Sequence, residues 1–155
     1  MAGLTWRGTD AATIAATFVR EGQMTSKRAL RQMRRVSKII LDQSIANTPV
    51  DWKGYTAKDP PGHELERSQR IEESYGAAGR IEATIMVGGM VGDVDVDLYA
   101  EWIHEGFYQL GPASVAKQSS TPGADVGPHF LERALQKHEH EFDALMDDLL
   151  QGLLL

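Results

Sequence analysis

Two histidine-containing stretches have the residue types of a metal site, but neither has the spacing that a metal ion needs. His138 and His140 stand two residues apart in a predicted helix, where side chains at that spacing project about 200° apart. They cannot share one ion, and we expect His138 to pack on an apolar stripe. His104 and Glu105 begin as a zinc-protease helix does, but Tyr108 occupies the position of the second histidine ligand.

A run of alternating aspartates matches the start of a calcium-binding loop. Asp93–Asp97 supplies aspartate at the first, third and fifth positions, in keeping with that loop. The loop also needs glycine at its sixth position and glutamate at its twelfth, where this chain has Leu98 and His104. Strict alternation predicts instead a strand, with the aspartates facing solvent and Val94, Val96 and Leu98 directed inward.

Motifs for phosphate binding and nucleophilic catalysis are missing. Gly88–Gly92 follows one predicted strand and precedes another, whereas a phosphate-binding loop leads into a helix; we expect a hairpin connection. The sequence has no Gly-x-Ser-x-Gly motif and no cysteine. We therefore expect no enzymatic activity, no cofactor, and no catalytic or metal-ligating residues. A metal-dependent hydrolase around His63, His104 or Asp93–Asp97 is the least favoured hypothesis.

Charge segregation is the most informative feature of the chain. Residues 27–38 hold six basic residues and no acidic residue. These are Lys27, Arg28, Arg31, Arg34, Arg35 and Lys38. The net charge of the whole chain is nevertheless -6, with 22 acidic residues. An acidic protein is a poor general binder of nucleic acid, whereas a basic stripe on an acidic body suits an acidic protein partner.

Two predicted helix ends carry charges that oppose the helix dipole. Lys27 and Arg28 lie in the first turn of one helix, and Asp147 and Asp148 lie in the last turn of the C-terminal helix. Each placement costs some tenths of a kcal/mol in an isolated helix. We therefore expect these charges to pair, within one chain or between subunits. The six basic residues and the two aspartates form the predicted subunit interface.

The elements that position these residues predict an α+β fold. A strand near 4–7 comes first, followed by a helix carrying Ile14, Phe18 and Val19 that closes near Gly22 and a second helix from Thr25 or Ser26 to Asn47. Strands are then predicted at 67–75, 80–87 and 93–98. The last elements are a helical turn at 99–105 ended by Gly106 and a helix from Pro128 to about Gln151. Segments 48–66 and 107–127 are predicted loops. Residues 1–155 are expected to form one domain, with two N-terminal helices and a long C-terminal helix packed on a small antiparallel β-sheet.

Composition narrows the class of protein further. A chain of 155 residues with 42% hydrophobic and 25% charged residues is typical of one folded domain rather than of a disordered protein. The sequence has no run of about 18 consecutive apolar residues, so no membrane span is predicted. The first residues show no signal-peptide pattern. The absence of cysteine excludes disulfides and fits a reducing compartment.

Three segments, in this order, resemble a pattern found in bacteriophage proteins. They are Ile45–Asp51 at the end of the basic helix, Tyr99–Gly106, and Gly127–Leu135. Together they are similar to the small tail-component proteins of long-tailed bacteriophages, the tail-completion or neck family. The likeness spans roughly residues 10–150. It departs from the family pattern at 51–66, where Trp52–Tyr55 and further residues precede the next predicted strand.

The resemblance implies a non-enzymatic structural protein of the virion tail or neck, made in the host bacterial cytoplasm. It implies a homo-oligomeric ring, hexameric in this family, at the head-tail junction or the tail end. The implied partners are neighbouring neck, tail-tube or connector proteins, with genomic DNA passing through the channel without specific binding and no membrane contact. Terminator and neck positions stay open, as do the copy number and the identity of the neighbours.

A nucleic-acid-binding module that uses residues 27–38 is the alternative hypothesis. Neutralising six phosphates predicts a log–log salt dependence of binding with a slope of about −5. No aromatic residue lies among the six cations, so stacking on single-stranded bases is not expected.

Overall fold

A four-stranded antiparallel sheet and six helices make up most of the described part of the chain. The computed structural model describes residues 2–10, 13–20, 27–53, 62–76, 80–106 and 108–151. The helices are α1 (Lys27–Asn47), α2 (Glu64–Arg67), α3 (Asp97–Glu105), α4 (Pro112–Ser120), α5 (Phe130–Lys137) and α6 (Glu139–Gln151). The strands are β1 (Ala2–Asp10), β2 (Thr13–Arg20), β3 (Trp52–Lys53), β4 (Arg70–Tyr75), β5 (Ile81–Val87), β6 (Met90–Val91), β7 (Val94–Asp95) and β8 (Gln109–Leu110).

The main sheet has the strand order β1-β2-β5-β4, and every neighbouring pair is antiparallel. Ile85 in β5 lies opposite Ala16 in β2 on one side and opposite Ile71 in β4 on the other. Two short pairings join β3 to β8 and β6 to β7. The predicted combination of helices with a small antiparallel sheet is therefore confirmed.

The inner face of β5 carries the core because its apolar and polar residues alternate. Ile81, Ala83, Ile85 and Val87 are buried, while the residues between them are only half-buried, as the sequence predicts for this strand. α1 packs on β5 and, more extensively, on α5. The resulting core cluster contains residues from both the helices and the sheet.

The predicted first helix is wrong, because residues 13–20 form strand β2 rather than a helix. The spacing of Ile14 and Phe18 by four residues fits one face of a helix and one face of a strand equally well. β-branched residues at 13, 14, 17 and 19 favour the strand. Pairing with β1 on one side and β5 on the other then decides the conformation. One N-terminal helix, α1, remains of the two that were predicted, and the predicted closure near Gly22 lies outside the described residues.

The predicted strand at 93–98 is also largely wrong. Only Val94 and Asp95 are in strand β7, which forms a hairpin with β6 rather than joining the main sheet. The side chain of Asp97 accepts a hydrogen bond from the Gly89 amide at 2.8 Å, and α3 begins at this aspartate. Val96 is buried as predicted, but Val94 and Leu98 are exposed. The aspartates therefore shape a turn and a helix start instead of lining the outer face of a strand.

The helical turn predicted at 99–105 is confirmed and belongs to a longer helix, α3, which begins at Asp97. Gly106 ends it with a φ of 87°, in the left-handed region that favours glycine. A Cβ at this position would lie 2.7 Å from Cβ of Pro128. Gly106 is therefore required both by its backbone conformation and by the close approach of the segment that leads into α5.

The predicted C-terminal helix is divided into α5 and α6, with His138 between them. Its apolar stripe is confirmed where Leu131, Leu135, Phe142 and Leu145 are buried. The predicted loop at 107–127 contains β8 and the nine-residue helix α4, and that at 48–66 contains β3 and α2. Among the described helices, none combines the length and the apolar character that crossing a membrane requires.

A basic face on the first helix as candidate interaction site

The six cations of α1 project from the side of the helix that faces away from the core. Ala29, Met33, Val36 and Ile40 recur every three or four residues and are buried, so they fix the orientation of the helix. We call the exposed cations opposite them the basic face. It consists of Lys27, Arg28, Arg31, Arg34, Arg35 and Lys38, all of which are exposed.

Arg34 is the most strongly paired residue of the basic face. Its Nε and Nη2 atoms donate to the two carboxylate oxygens of Glu73 in β4, at 2.7 and 2.8 Å. The hydroxyl of Tyr75 donates to the same carboxylate at 2.9 Å. The hydrogen bond from Arg34 lowers the pKa of Glu73, and that from Tyr75 lowers it further, although burial acts in the opposite direction. This bidentate pair anchors α1 to the edge of the sheet.

Two further cations of the basic face have acidic partners within the chain. Arg28 Nη2 lies 2.7 Å from Asp148 Oδ1, and Lys38 Nζ lies 2.9 Å from Asp42 Oδ1. The first contact joins the N-terminal end of α1 to the C-terminal end of α6, so these helices run antiparallel. It is the within-chain form of the pairing expected for these charges.

Lys27, Arg31 and Arg35 make no ion pair or side-chain hydrogen bond with any residue in the described ranges. Arg28, Arg31, Gln32 and Arg35 line an open depression of about 420 Å³. Asp147, the other predicted interface residue, is exposed and likewise lacks an ion pair within the described ranges. The unpaired cations are therefore available to a partner.

An apolar groove between α1 and α6 adjoins these unpaired cations. We call it the α1–α6 groove, and its volume is about 190 Å³. Its lining consists of Gln32, Arg35, Val36, Ile39, Glu141, Ala144, Leu145 and Asp148. Small-molecule sites usually enclose about 300–1,000 Å³, so this groove has the size for one or two side chains rather than for a ligand. Its floor is apolar and its rim is charged.

The histidines near the C-terminal helices are closer together than expected. The break between α5 and α6 brings the rings of His138 and His140 to a centroid distance of 6.3 Å, so their expected wide separation is wrong. Both contact Glu141, through His138 Nδ1 at 2.9 Å and His140 Nε2 at 3.0 Å. Burial opposes the ionisation of Glu141, but the hydrogen bond with His138, a backbone hydrogen bond and the charges of both histidines together lower its pKa. The described residues contain no cluster of three or more His, Cys, Asp or Glu side chains able to hold a metal ion.

His104 is a packing residue. Its ring is buried and meets those of His129 and Phe130 edge-on, with centroids 5.3 and 5.1 Å away. Burial lowers the pKa of His104, so the ring is neutral at pH 7. His63 lies at the N-terminal end of α2, where it contacts Glu66. The structure does not bring it together with His104 in one site.

The three segments of the phage-like pattern meet in the fold. The carbonyl oxygen of Asn47 accepts a hydrogen bond from the Gly127 amide at 3.0 Å, and its side-chain amide donates to the Phe130 carbonyl at 3.3 Å. The His104 carbonyl accepts from the His129 amide at 2.7 Å. The last segment is thereby fastened to each of the other two. These polar groups satisfy one another, so the junction holds the fold together.

Long-range contacts at the C-terminal end of α1 were not predicted. Asp51 accepts hydrogen bonds from the amides of Ala113 and Ser114, at 3.0 and 2.7 Å, and so caps the N-terminus of α4. Lys117 of α4 donates to the carbonyls of Ile45 and Thr48, both at 2.7 Å. This supplies a cation where the last turn of α1 has no basic residue of its own. More than 60 residues separate these partners, and no local sequence pattern connects them.

No family model, no functionally described protein and no solved structure matches the chain. Within the described residues, the basic face brings unpaired charge next to the α1–α6 groove, whose apolar lining is accessible at Ile39 and Ala144. That combination is typical of a surface that binds another macromolecule.

Proposed function

We propose that the protein is a structural component of a tailed-bacteriophage virion. It acts as a tail-completion, tail-terminator or neck protein, and its copies form a ring, hexameric by the resemblance, at the head-tail junction or the tail end. The observation that carries this proposal is the presence of two unpaired cations, Arg31 and Arg35, at an apolar groove of side-chain size and the depression beside it. The three phage-like sequence segments supply the biological setting.

A ring requires two different surfaces on each subunit that complement one another. The unpaired cations of the basic face provide one such surface, and the acidic remainder of a chain with net charge -6 provides the other. Neighbouring neck, tail-tube or connector proteins are the further partners. An acidic channel wall would repel passing DNA over about 8 Å at physiological salt, which allows the genome to pass without specific binding.

Electron microscopy of the purified protein and of phage particles tests this proposal. We expect ring-shaped oligomers of the isolated chain and a position for the chain at the head-tail junction or the tail end. A strictly monomeric protein that is absent from particles would contradict it. The double variant Arg31→Glu/Arg35→Glu should keep its fold and lose the rings. Arg67→Glu, at another exposed arginine outside α1, is the control and should keep them.

Nucleic-acid binding through α1 is the second candidate, favoured by the three unpaired cations of the basic face. Arg28, Arg34 and Lys38 already have acidic partners, so at most three cations are free to neutralise phosphates. At about 0.9 per contact, the expected log–log salt slope becomes about −3 rather than the −5 expected for six contacts. Titration of labelled duplex DNA over a range of salt concentrations separates this candidate from the protein-docking proposal.

A further inference from the structure

We propose that an exposed ridge on α3 of one copy docks into the α1–α6 groove of a second copy. The inference rests on the proposed function and names the two surfaces through which ring subunits join. We call the docking element the α3 ridge, and it consists of Leu98, Glu101, Trp102 and Glu105. The two surfaces are different, so the contact is head-to-tail and repeats from copy to copy.

The α3 ridge exposes unusually large apolar side chains for a helix surface. Leu98 is 82% exposed and Trp102 is 38% exposed. Residues four apart on a helix lie on the same face, so these two side chains form one continuous strip. Met90 and Val94, in the hairpin that precedes α3, are also exposed. Exposed apolar side chains on two elements that adjoin along the chain are of the kind that a protein partner covers.

Trp102 is held ready for docking by other aromatic rings. Its centroid lies 6.3 Å from that of Trp52 and 5.7 Å from that of Tyr108. A side chain that is already ordered loses little conformational entropy when it binds. Tryptophan is also among the residues that most often dominate the binding energy of an interface. The ridge thus presents a rigid anchor.

The α1–α6 groove matches the ridge in size. Its volume of about 190 Å³ corresponds to roughly six water molecules at about 30 Å³ each. Val36, Ile39, Ala144 and Leu145 supply apolar contacts. One or two apolar side chains, such as those of the ridge, would displace this water and cover the accessible parts of Ile39 and Ala144.

Charge spacing matches between the two surfaces. Arg31 and Arg35 are four residues apart on α1, and the exposed Glu101 and Glu105 are four residues apart on α3. Each pair spans about 6 Å along its helix, so two helices lying side by side can bring both acids to both arginines. The arginines have no acidic partner within the described part of their own chain. The apolar lining of the groove and the arginines at its edge therefore both fit the α3 ridge.

The two surfaces lie at different points along α1. Trp102 packs on Trp52, which follows the C-terminal end of α1, whereas the groove borders α1 between Gln32 and Ile39. Each copy can therefore use its ridge and its groove at the same time. This is the arrangement that a closed ring requires.

Leu98→Asp tests the ridge directly, because Leu98 is too exposed to contribute to folding. We expect sedimentation analysis to show self-association weakened by at least about tenfold, the loss expected for an interface anchor, with an unchanged circular dichroism spectrum. Val115→Asp, on α4, is the matched control, since Val115 is also apolar and 53% exposed; its self-association should stay at the wild-type level.

Mixing two variants tests whether the ridge meets the groove. Leu98→Asp retains an intact groove, and Arg31→Glu/Arg35→Glu retains an intact ridge. Each variant alone should be monomeric, and their mixture should form a one-to-one pair that grows no further. Absence of this pair would overturn the inference, as would a monomeric wild-type protein. If both the wild type and Leu98→Asp form rings, the role of the ridge is overturned while the proposed virion role stands.

Discussion

Ion pairs within the chain divide the six residues of the basic face into two groups. Arg28, Arg34 and Lys38 neutralise acids of α6, β4 and α1 itself. The remaining three have no such partner among the described residues. Residue type alone gives no reason for this division, because all six are long exposed cations on the same helix face. We propose docking to a partner for the second group, of which Arg31 and Arg35 line the groove or the adjoining depression.

At the scale of one residue, Asp51→Asn should destabilise the protein in a pH-dependent way. Burial opposes the ionisation of Asp51, but hydrogen bonds from the Ala113 and Ser114 amides outweigh it and lower the pKa of this carboxyl. Its stabilising effect is therefore present above the unfolded-state pKa of about 3.9 and is lost as the pH falls through the folded-state pKa. Urea denaturation at pH 7 should show a loss of about 1 kcal/mol, typical of a helix cap.

The same comparison at low pH provides the decisive contrast for Asp51. The difference in unfolding free energy between wild type and Asp51→Asn should shrink towards zero as Asp51 becomes protonated. Asp143→Asn, an exposed aspartate on α6, is the control and should have little effect at either pH. A constant difference across the pH range would show that the charge of Asp51 does not stabilise α4.

Two glycines with positive φ should respond differently to alanine. Gly106 has a φ of 87° and an added Cβ would lie 2.7 Å from Pro128, whereas Gly92 has a φ of 60° and open space around it. Left-handed backbone costs a non-glycine residue about 1–3 kcal/mol, and only Gly106→Ala adds a steric clash. Thermal or urea unfolding should therefore place Gly106→Ala well below Gly92→Ala in stability. Equal losses would contradict the close packing of α3 on the start of α5.

At the scale of elements, α6 should be fixed to the body of the protein by its apolar stripe. Phe142 is 6% exposed and belongs to the core cluster. Phe142→Ala should lower the unfolding free energy by about 3–5 kcal/mol, from lost burial and from the cavity left behind. Leu98→Ala removes a comparably apolar side chain from the surface and should change stability by less than about 0.5 kcal/mol. Urea titration of both variants measures the contrast.

Elements could be predicted from the sequence where the apolar pattern fits a single period. β5 was predicted because its alternation is strict, and α1 because its buried residues recur only at helical spacing. β2 was not, since Ile14 and Phe18 satisfy both periods and two neighbouring strands decided between them. α4 was not, because its start depends on Asp51, a cap about 60 residues earlier in the chain.

The candidate site could also be predicted from the sequence only in part. The basic face is a local feature of twelve residues, so the sequence alone reveals it. The α1–α6 groove requires two helices more than 100 residues apart to pack together. The ridge was missed for a different reason, because Leu98 was expected to point inward from a strand. Tertiary packing, rather than residue type, creates both of the proposed docking surfaces.

For the whole molecule, DNA binding should be weak and only moderately salt-dependent. Three free cations on a chain with net charge -6 predict a slope of about −3 at most. Fluorescence anisotropy with a labelled duplex between 50 and 200 mM salt measures it. Arg31→Glu/Arg35→Glu should abolish whatever binding remains. A slope of about −5, or tight binding at 200 mM salt, would favour the nucleic-acid hypothesis over protein docking.

The measurement that tests the central claim most directly is the mass of the purified chain by sedimentation equilibrium, at low and high salt. We expect wild type to self-associate at low salt, to dissociate as salt screens the arginines, and to stay monomeric when both Arg31 and Arg35 are changed to Glu. Arg67→Glu should behave as wild type. Wild-type assembly that is unaffected by the double charge reversal would contradict the claim that the basic face docks a neighbouring polypeptide.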